Sequence, residues 1–293
     1  MKYIENNKCF LCGETSFNMI HKGVRGSNEI NVIKCTHCGL VQLDKFIADL
    51  NAFYEESNMR PVSKTIKEIR NAAFDDDYRR FKFTRNMIEN KSVLDFGAGG
   101  GGYACIANKT AESVFAIELE KNMQEAIKSD GIPCFSSVDE LIKSHPQKRF
   151  DCITMFHVLE HLQNPITVLK NLSDLLTENG RIIVEVPNAD DALLSLYECE
   201  AFANFTYWMC HLYLYTNNTL SLLIEKAGLK LQVLEQIQRY PLANHLHWLS
   251  MKRPGGHQKW TSLCDVILDK NYGDKLARLG IADTIMVIIE KKS

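Results

Sequence analysis

The stretch Ser92-Val-Leu-Asp-Phe-Gly-Ala-Gly-Gly-Gly101 constrains this chain more than any other. An apolar run, Ser92 to Phe96, ends in glycines at 97, 99 and 101. A strand that runs into a glycine loop lets the backbone approach a ligand more closely than any side chain allows. A second apolar run, Val114 to Ile117, ends in Glu118, 21 residues beyond Gly97. A carboxylate at the end of a second parallel strand is placed for ribose hydroxyls. The pattern predicts an open parallel sheet with helices on both faces, binding a nucleoside-containing ligand at the carboxyl ends of its strands.

Two cofactor classes fit this loop. A dinucleotide site has G-x-G-x-x-G, and Gly97, Gly99 and Gly102 satisfy it. The alternative frame is Asp95-x-Gly97-x-Gly99-x-Gly101. A P-loop is excluded, because no Gly-Lys-Ser/Thr follows. Further along, Phe150 to Phe156 has a buried-strand pattern, and His157-Val-Leu-Glu-His161-Leu162 follows at once. Asn164-Pro165 opens a helix, Leu169 to Leu176 continues it with an apolar stripe, and Gly180 is expected to stop it. Arg181 to Asn188 then reads as another strand.

The D-x-G-x-G-x-G loop, Glu118 and the F-D-x-I-x-x-x-x-V-L-E-H-L-x-N-P run resemble the class I S-adenosylmethionine-dependent methyltransferases. The resemblance covers residues 78–236 and a terminal strand near 283–290. It implies a doubly wound, mostly parallel, seven-stranded Rossmann-like α/β sheet. The methionine moiety would sit over Gly97, Gly99 and Gly101, with Asp95 near its charged end. Glu118 would hold the ribose, adenine would lie near Ser136 or Ser137 and Leu119, and Phe156-His157 would close the far side. Arg79, Arg80 or Tyr54, ahead of the core, are candidates for the methionine carboxylate.

Cys9-x-x-Cys12-Gly and Cys35-x-x-Cys38-Gly are separated by 22 residues. Two matched C-x-x-C turns give four thiolates for one closed tetrahedral ion, a structural zinc site; iron is the alternative occupant. His21 and His37 are then surface residues. Phe17 to Ile20 and Ile30 to Ile33 read as two strands about a turn at Gly26-Ser27-Asn28, so residues 1–45 form a small zinc-ribbon module. Such a module relies on its metal for stability. A zinc module ahead of this core is similar to a bacterial group that includes sugar C-methyltransferases, whose module helps to cover the substrate cleft. The large extra C-terminal domain of those enzymes has no counterpart in this sequence, which favours oxygen over carbon as acceptor.

Residues 46–91 read as a helical linker, with a break at Pro61 and with Asp75-Asp76-Asp77 capping a helix from Tyr78 to Ile88. The core then spans 92–293, with acceptor-covering insertions near 189–217 and 238–281. Methyl transfer to oxygen or carbon also requires a base, most simply a histidine. His161, His211, His245 and His247 are the candidates, the last pair facing one side if their segment is extended, and Glu160 could orient one of them. His145 lies in a polar loop, outside this set, and His257 accompanies Trp260. Aromatic residues around His211 and His245 suit a saccharide acceptor by stacking.

The formal net charge is -2, which gives no electrostatic footprint for nucleic acid or an anionic membrane. Asp/Asn-Pro-Pro-Tyr/Phe, the motif of nucleobase-amine methyltransferases, is replaced by Phe156-His157-Val158-Leu159. No membrane-length apolar run or secretion signal is evident, and ten cysteines without one point to a reducing, cytoplasmic setting. The expectation is a monomeric or homodimeric enzyme that methylates a small polyhydroxylated acceptor, a sugar or nucleotide-linked sugar of a surface-polysaccharide pathway. A non-sugar metabolite as acceptor, an NAD-linked oxidoreductase and an inactive zinc-ribbon interaction protein are the alternatives.

Overall fold

The computed structural model describes residues 2–55 and 64–292. The expected break at Pro61 lies outside the described residues.

The chain opens with β1 (Tyr3–Glu5), β2 (Phe17–His21), β3 (Val32–Cys35), β4 (Val41–Leu43) and β5 (Lys45–Ile47). Helices α1 (Leu50–Glu55) and α2 (Ile66–Ile88) lead to β6 (Ser92–Phe96). The alternating core follows as α3 (Gly102–Ala107), β7 (Ser113–Ile117), α4 (Lys121–Ser129), β8 (Cys134–Phe135), α5 (Val138–Ser144) and β9 (Phe150–Phe156). After it come α6 (Pro165–Asp174), β10 (Leu176–Pro187), α7 (Ala192–Ser195), α8 (Glu200–Thr206), β11 (Tyr213–Leu214) and α9 (Asn217–Lys226). The chain finishes with β12 (Leu229–Ile237), α10 (Leu242–Met251), α11 (Gly256–Lys259), α12 (Val266–Leu279) and β13 (Thr284–Lys291).

The main sheet has seven strands in the order β12-β13-β10-β9-β6-β7-β8. Strands β8, β7, β6, β9 and β10 are parallel, and β13 runs antiparallel between β10 and β12. The order reverses between β6 and β9, and a doubly wound sheet binds its ligand at such a switch point. Val93 and Leu94 of β6, Ile153 and Met155 of β9 and Ile182 to Val184 of β10 are fully buried. Such continuous apolar runs are what a sheet covered on both faces requires.

Three local expectations need correction. Asp75 to Asp77 cap nothing: α2 is continuous and starts at Thr65, whose hydroxyl accepts from the Glu68 N–H while Glu68 bonds back to the Thr65 N–H. Asp76 and Asp77 instead pair with Arg79 and Arg80 one turn on. Helix α6 opens at Pro165 as expected but ends at Asp174, and Leu176 already begins β10. Gly180 therefore stops no helix. It lies within β10 beside a register shift, where a Cβ would stand 2.9 Å from the Phe150 carbonyl oxygen.

The N-terminal module has the expected hairpin, β2 against β3. Its sheet, however, has four strands in the order β11-β4-β3-β2, and β11 comes from the segment after β10. Tyr213 pairs with Gln42 and Leu214 with Val41. The Arg25 N–H donates to the Tyr207 carbonyl across 2.8 Å, and the Arg25 guanidinium lies over the Phe205 and Trp208 rings. Strand β1 pairs with β5, so the module extends past residue 45. Cys9, Leu11 and Ile30 share one apolar cluster with Tyr213, Leu159 and Val184. The N-terminal module and the core thus have a common hydrophobic interior.

Candidate active site

The glycine loop is shaped by steric necessity. Gly97, Gly99 and Gly101 all have positive φ. A Cβ on Gly97 would lie 2.4 Å from Val158 Cγ2, and one on Gly101 2.6 Å from Ile127 Cγ1. Gly102 begins α3, and a Cβ there would lie 2.2 Å from Asp77 Oδ2. Helix α2 holds the loop from outside: Arg70 Nε donates to the Gly100 carbonyl at 2.6 Å, and its Nη2 to Asp130 at 2.5 Å.

A cavity of about 480 Å³ opens over the carboxyl ends of β6, β7, β8 and β9, a volume ordinary for a small-molecule site. Gly97, Gly99, Glu118, Leu119, Ser136 and His157 line it, as does His161. Glu118 is tied to the loop: its Oε2 accepts from the Gly99 N–H at 2.6 Å and its Oε1 from the Glu120 N–H at 2.9 Å. Ser136 gives its N–H and hydroxyl to Glu140, which orders the turn after β8. Tyr54 and Leu50 of α1 complete the wall.

Several expected site residues stand elsewhere. Asp95 and Gly101 do not line the cavity. Asp95 is buried beneath the loop, where it accepts from Thr154 Oγ1 at 2.9 Å; burial, against that hydrogen bond, pushes its carboxyl up to about 7. Phe156 packs edge-on against Tyr103 under the Arg80 guanidinium, because alternation along β9 turns it away. His245 and His247 sit on a helix, α10, so the premise of an extended segment fails. His245 bonds Tyr272 Oη at 2.7 Å and His247 the Arg253 carbonyl at 2.7 Å, and neither reaches the cavity wall. His211 packs behind His161, ring centroids 5.0 Å apart, and burial lowers its pKa to about 3. His161 is likewise pushed down by burial, so both rings are neutral near pH 7.

The turn after β9 carries the electrostatics. His157 takes a left-handed backbone at φ 55°, a costly conformation for a non-glycine residue. Its Nδ1 lies 3.2 Å from Glu160 Oε1, and its Nε2 lies 3.2 Å from Glu185 Oε1 and 3.0 Å from Arg239 Nη1. Burial opposes the charged ring, but the two carboxylates prevail over it and over Arg239, raising the pKa. Glu185 is fully buried in β10 and receives Arg80 through Nε and Nη2, at 2.9 and 2.7 Å, and Arg79 Nη2 at 2.8 Å. Burial disfavours its charge, yet these cations hold its carboxyl well below the usual range. Arg239 also forks onto Asp76, and desolvation there is outweighed so that Asp76 falls to about 2. Arg79 and Arg80 are therefore committed to carboxylates of the protein; of the expected methionine-carboxylate contacts Tyr54 lies on the cavity wall, with its hydroxyl 3.0 Å from His161 Nδ1.

Sequence reasoning missed Arg70, Asp76, Glu185 and Arg239. Glu185 carried a signal: a lone charge inside Ile182-Ile-Val-Glu-Val186 on a central strand demands a buried partner.

At the N-terminal module, Cys9 and Cys38 Sγ are 3.5 Å apart, as are Cys12 and Cys35 Sγ, and all four lie within 4.8 Å of one another. Tetrahedral zinc bound by thiolates at about 2.3 Å needs sulfur separations of about 3.8 Å. The four cysteines fit such an ion.

A family model described as a methyltransferase domain matches residues 66–234, more than half of the chain. This chain belongs to that methyltransferase family. A ubiquinone biosynthesis O-methyltransferase of Xanthomonas euvesicatoria is 23% identical over 162 residues, 53% of this chain and 64% of that protein. Its namesake in Glaesserella parasuis is 30% identical over 115 residues, 35% of this chain and 48% of that protein. The methyltransferase thus spans under two thirds of the length of these curated relatives. Its fold is that of S-adenosylmethionine-dependent methyltransferases of known structure. One from Archaeoglobus fulgidus superposes with a TM-score of 0.50 at 17% identity, covering 76% of this chain and 94% of the other. The N-methyltransferase NodS of Bradyrhizobium japonicum, solved with S-adenosyl-L-homocysteine, gives 0.50 at 10% identity, covering 82% and 99%.

Proposed function

We propose that this methyltransferase moves the methyl group of S-adenosylmethionine to an oxygen of a small hydroxylated acceptor. The observation that carries the reading is the coupling of Gly99 to Glu118 at the mouth of a cavity set on the switch point of the sheet. In this reading the glycine loop admits the methionine portion, Glu118 accepts the ribose hydroxyls, and Leu119 and Ser136 border the adenine. The donor carries its own activation as a sulfonium. The protein therefore aligns the two reactants and excludes water. The acceptor oxygen attacks the methyl carbon, the carbon–sulfur bond breaks onto sulfur, and the acceptor proton must leave.

His157 and His161 both line the cavity; His157 is held between Glu160, Glu185 and Arg239, which leaves His161 as the base. Its Nδ1 is 2.7 Å from the Cys210 carbonyl, which can only accept, so the proton sits on Nδ1 and Nε2 carries the lone pair. A neutral imidazole with a free lone pair is what proton removal requires. Oxygen is favoured over nitrogen by the O-methyltransferase relatives. The saccharide expectation rested on the zinc-module resemblance and on aromatic rings after β10 and β12, but Tyr207, Tyr213 and Tyr215 are buried against the N-terminal module. The proposed acceptor is accordingly defined by a hydroxyl and modest size, with sugars as one class to test. The setting proposed is the cytoplasm; among the described residues, no helix is long and apolar enough to cross a membrane.

Calorimetric titration with S-adenosylhomocysteine, beside a Gly99→Arg variant, tests the donor site. Micromolar binding that the variant loses supports the reading, and absence of binding to folded wild-type protein overturns it. Labelled methyl transfer to nucleotide sugars and to phenols then sorts the acceptors.

A further inference from the structure

We infer that Glu160, His161 and His211 form a second metal site, for a divalent first-row transition ion, behind the cavity wall. One carboxylate oxygen of Glu160 and one ring nitrogen of each histidine all lie within 4.8 Å of one another. The orientation of the rings is the decisive feature. The Nδ1 of His161 faces the Cys210 carbonyl at 2.7 Å, and the Nδ1 of His211 faces the Thr206 carbonyl at 3.1 Å. A carbonyl accepts only, so both rings carry their proton on Nδ1 and offer Nε2 as a lone pair. A backbone carbonyl on the far nitrogen is the usual second contact of a metal-binding histidine.

The carboxylate supplies an independent observation. Glu160 has no exposed surface. Its Oε1 meets His157 Nδ1 at 3.2 Å, while its Oε2 is buried and has no hydrogen-bond partner among the described residues. His161 Nε2 lies 3.9 Å from Oε1, outside hydrogen-bond range. A buried anionic oxygen without a partner is expensive, and a cation beside it removes the cost. Two neutral imidazoles and a carboxylate suit zinc, iron(II), cobalt(II) or manganese(II) better than magnesium, which prefers oxygen ligands.

The three ligands come from two segments. Glu160 and His161 lie in the 3₁₀ turn after β9, and His211 precedes β11. An ion there would fix the segment before β11 to the turn that lines the cavity. Three protein ligands also leave a coordination position open. This extension rests on the oxygen-acceptor reading above but gives His161 Nε2 to the ion in place of the acceptor proton: a hydroxyl entering that position would have its pKa lowered by the ion and release its proton to water.

The test uses full-length protein already loaded with zinc at Cys9, Cys12, Cys35 and Cys38, titrated with cobalt(II) and followed by visible absorption. Cobalt on nitrogen and oxygen gives weak d–d bands, whereas cobalt in the cysteine site would show intense sulfur-to-metal charge transfer. The expected result is one further equivalent of cobalt without charge transfer, lost in His211→Ala and in Glu160→Gln. Absence of these bands in folded wild-type protein overturns the inference, and so does their persistence in His211→Ala. S-adenosylhomocysteine titration of the same samples reports separately on the donor site, so failure of one reading is distinguishable from failure of the other.

Discussion

Gly99 donates its backbone N–H to Glu118 Oε2 across 2.6 Å, which joins the loop after the first core strand to the end of the second. The carboxylate proposed to bind ribose is thereby held in place by the loop proposed to admit the donor. Glu118→Ala should weaken S-adenosylhomocysteine binding by roughly 10- to 100-fold, since charge-assisted hydrogen bonds contribute about 1.5–3 kcal/mol each. Calorimetry measures the affinity. An unchanged affinity would remove Glu118 from the site.

Gly97 meets Val158 so closely that even alanine has no room. Gly97→Ala should lower stability by about 1–3 kcal/mol through overpacking and add strain at its φ of 77°. Val158→Ala in the same chain should recover part of that loss, because it removes the clash and leaves the strain. Thermal melts of the single and double variants decide this, and strictly additive losses would contradict it.

Glu185 neutralises two arginines from inside the sheet. Glu185→Gln keeps the shape and leaves Arg79 and Arg80 short of a carboxylate. The expected cost is about 3–5 kcal/mol in denaturant unfolding. A cost below about 1 kcal/mol would show that Asp76 and Asp77 suffice for both.

His245 gives the fold an acid limit. Its Nε2 accepts from Gln238 and its Nδ1 faces Tyr272, so the ring is neutral, and burial lowers its pKa to about 4. The unfolded chain titrates at about 6.5 and binds the proton first. Stability from this group is therefore complete above pH 6.5 and is lost as pH falls toward 4, by about 3 kcal/mol in all. Unfolding midpoints of wild type and His245→Gln across this range test the point: the variant should lack this share of the acid loss.

The four cysteines fit zinc, and removal of an ion held there should act at a distance. Strand β4 pairs with β11, so chelation should raise hydrogen exchange at residues 207–215 as well as at 9–43. Exchange followed by mass spectrometry reads both segments. Loosening confined to the ribbon would mean that β11 is held by the core alone.

Much of the frame was legible locally. The strands Ser92–Phe96 and Phe150–Phe156 have the limits their uninterrupted apolar runs suggest, and the cysteine spacing foretold the cluster. What depended on distant partners was not legible. Asp76 resembles a cap until Arg239, far along the chain, is seen against it. His245 and His247 resemble site residues because a histidine-rich segment looks alike whether it faces a ligand or Tyr272. His161 was identifiable from its position after a strand, but the state of its ring depends on the Cys210 carbonyl, which only the fold brings near.

The strand at Tyr213–Leu214 has an implication for inheritance. Strand β11 is templated by β4, within the first fifty residues, so neither can drift alone. Exchanging the N-terminal module between relatives would import a foreign edge for β11 to pair with, and the fit of that strand would travel with the cysteines.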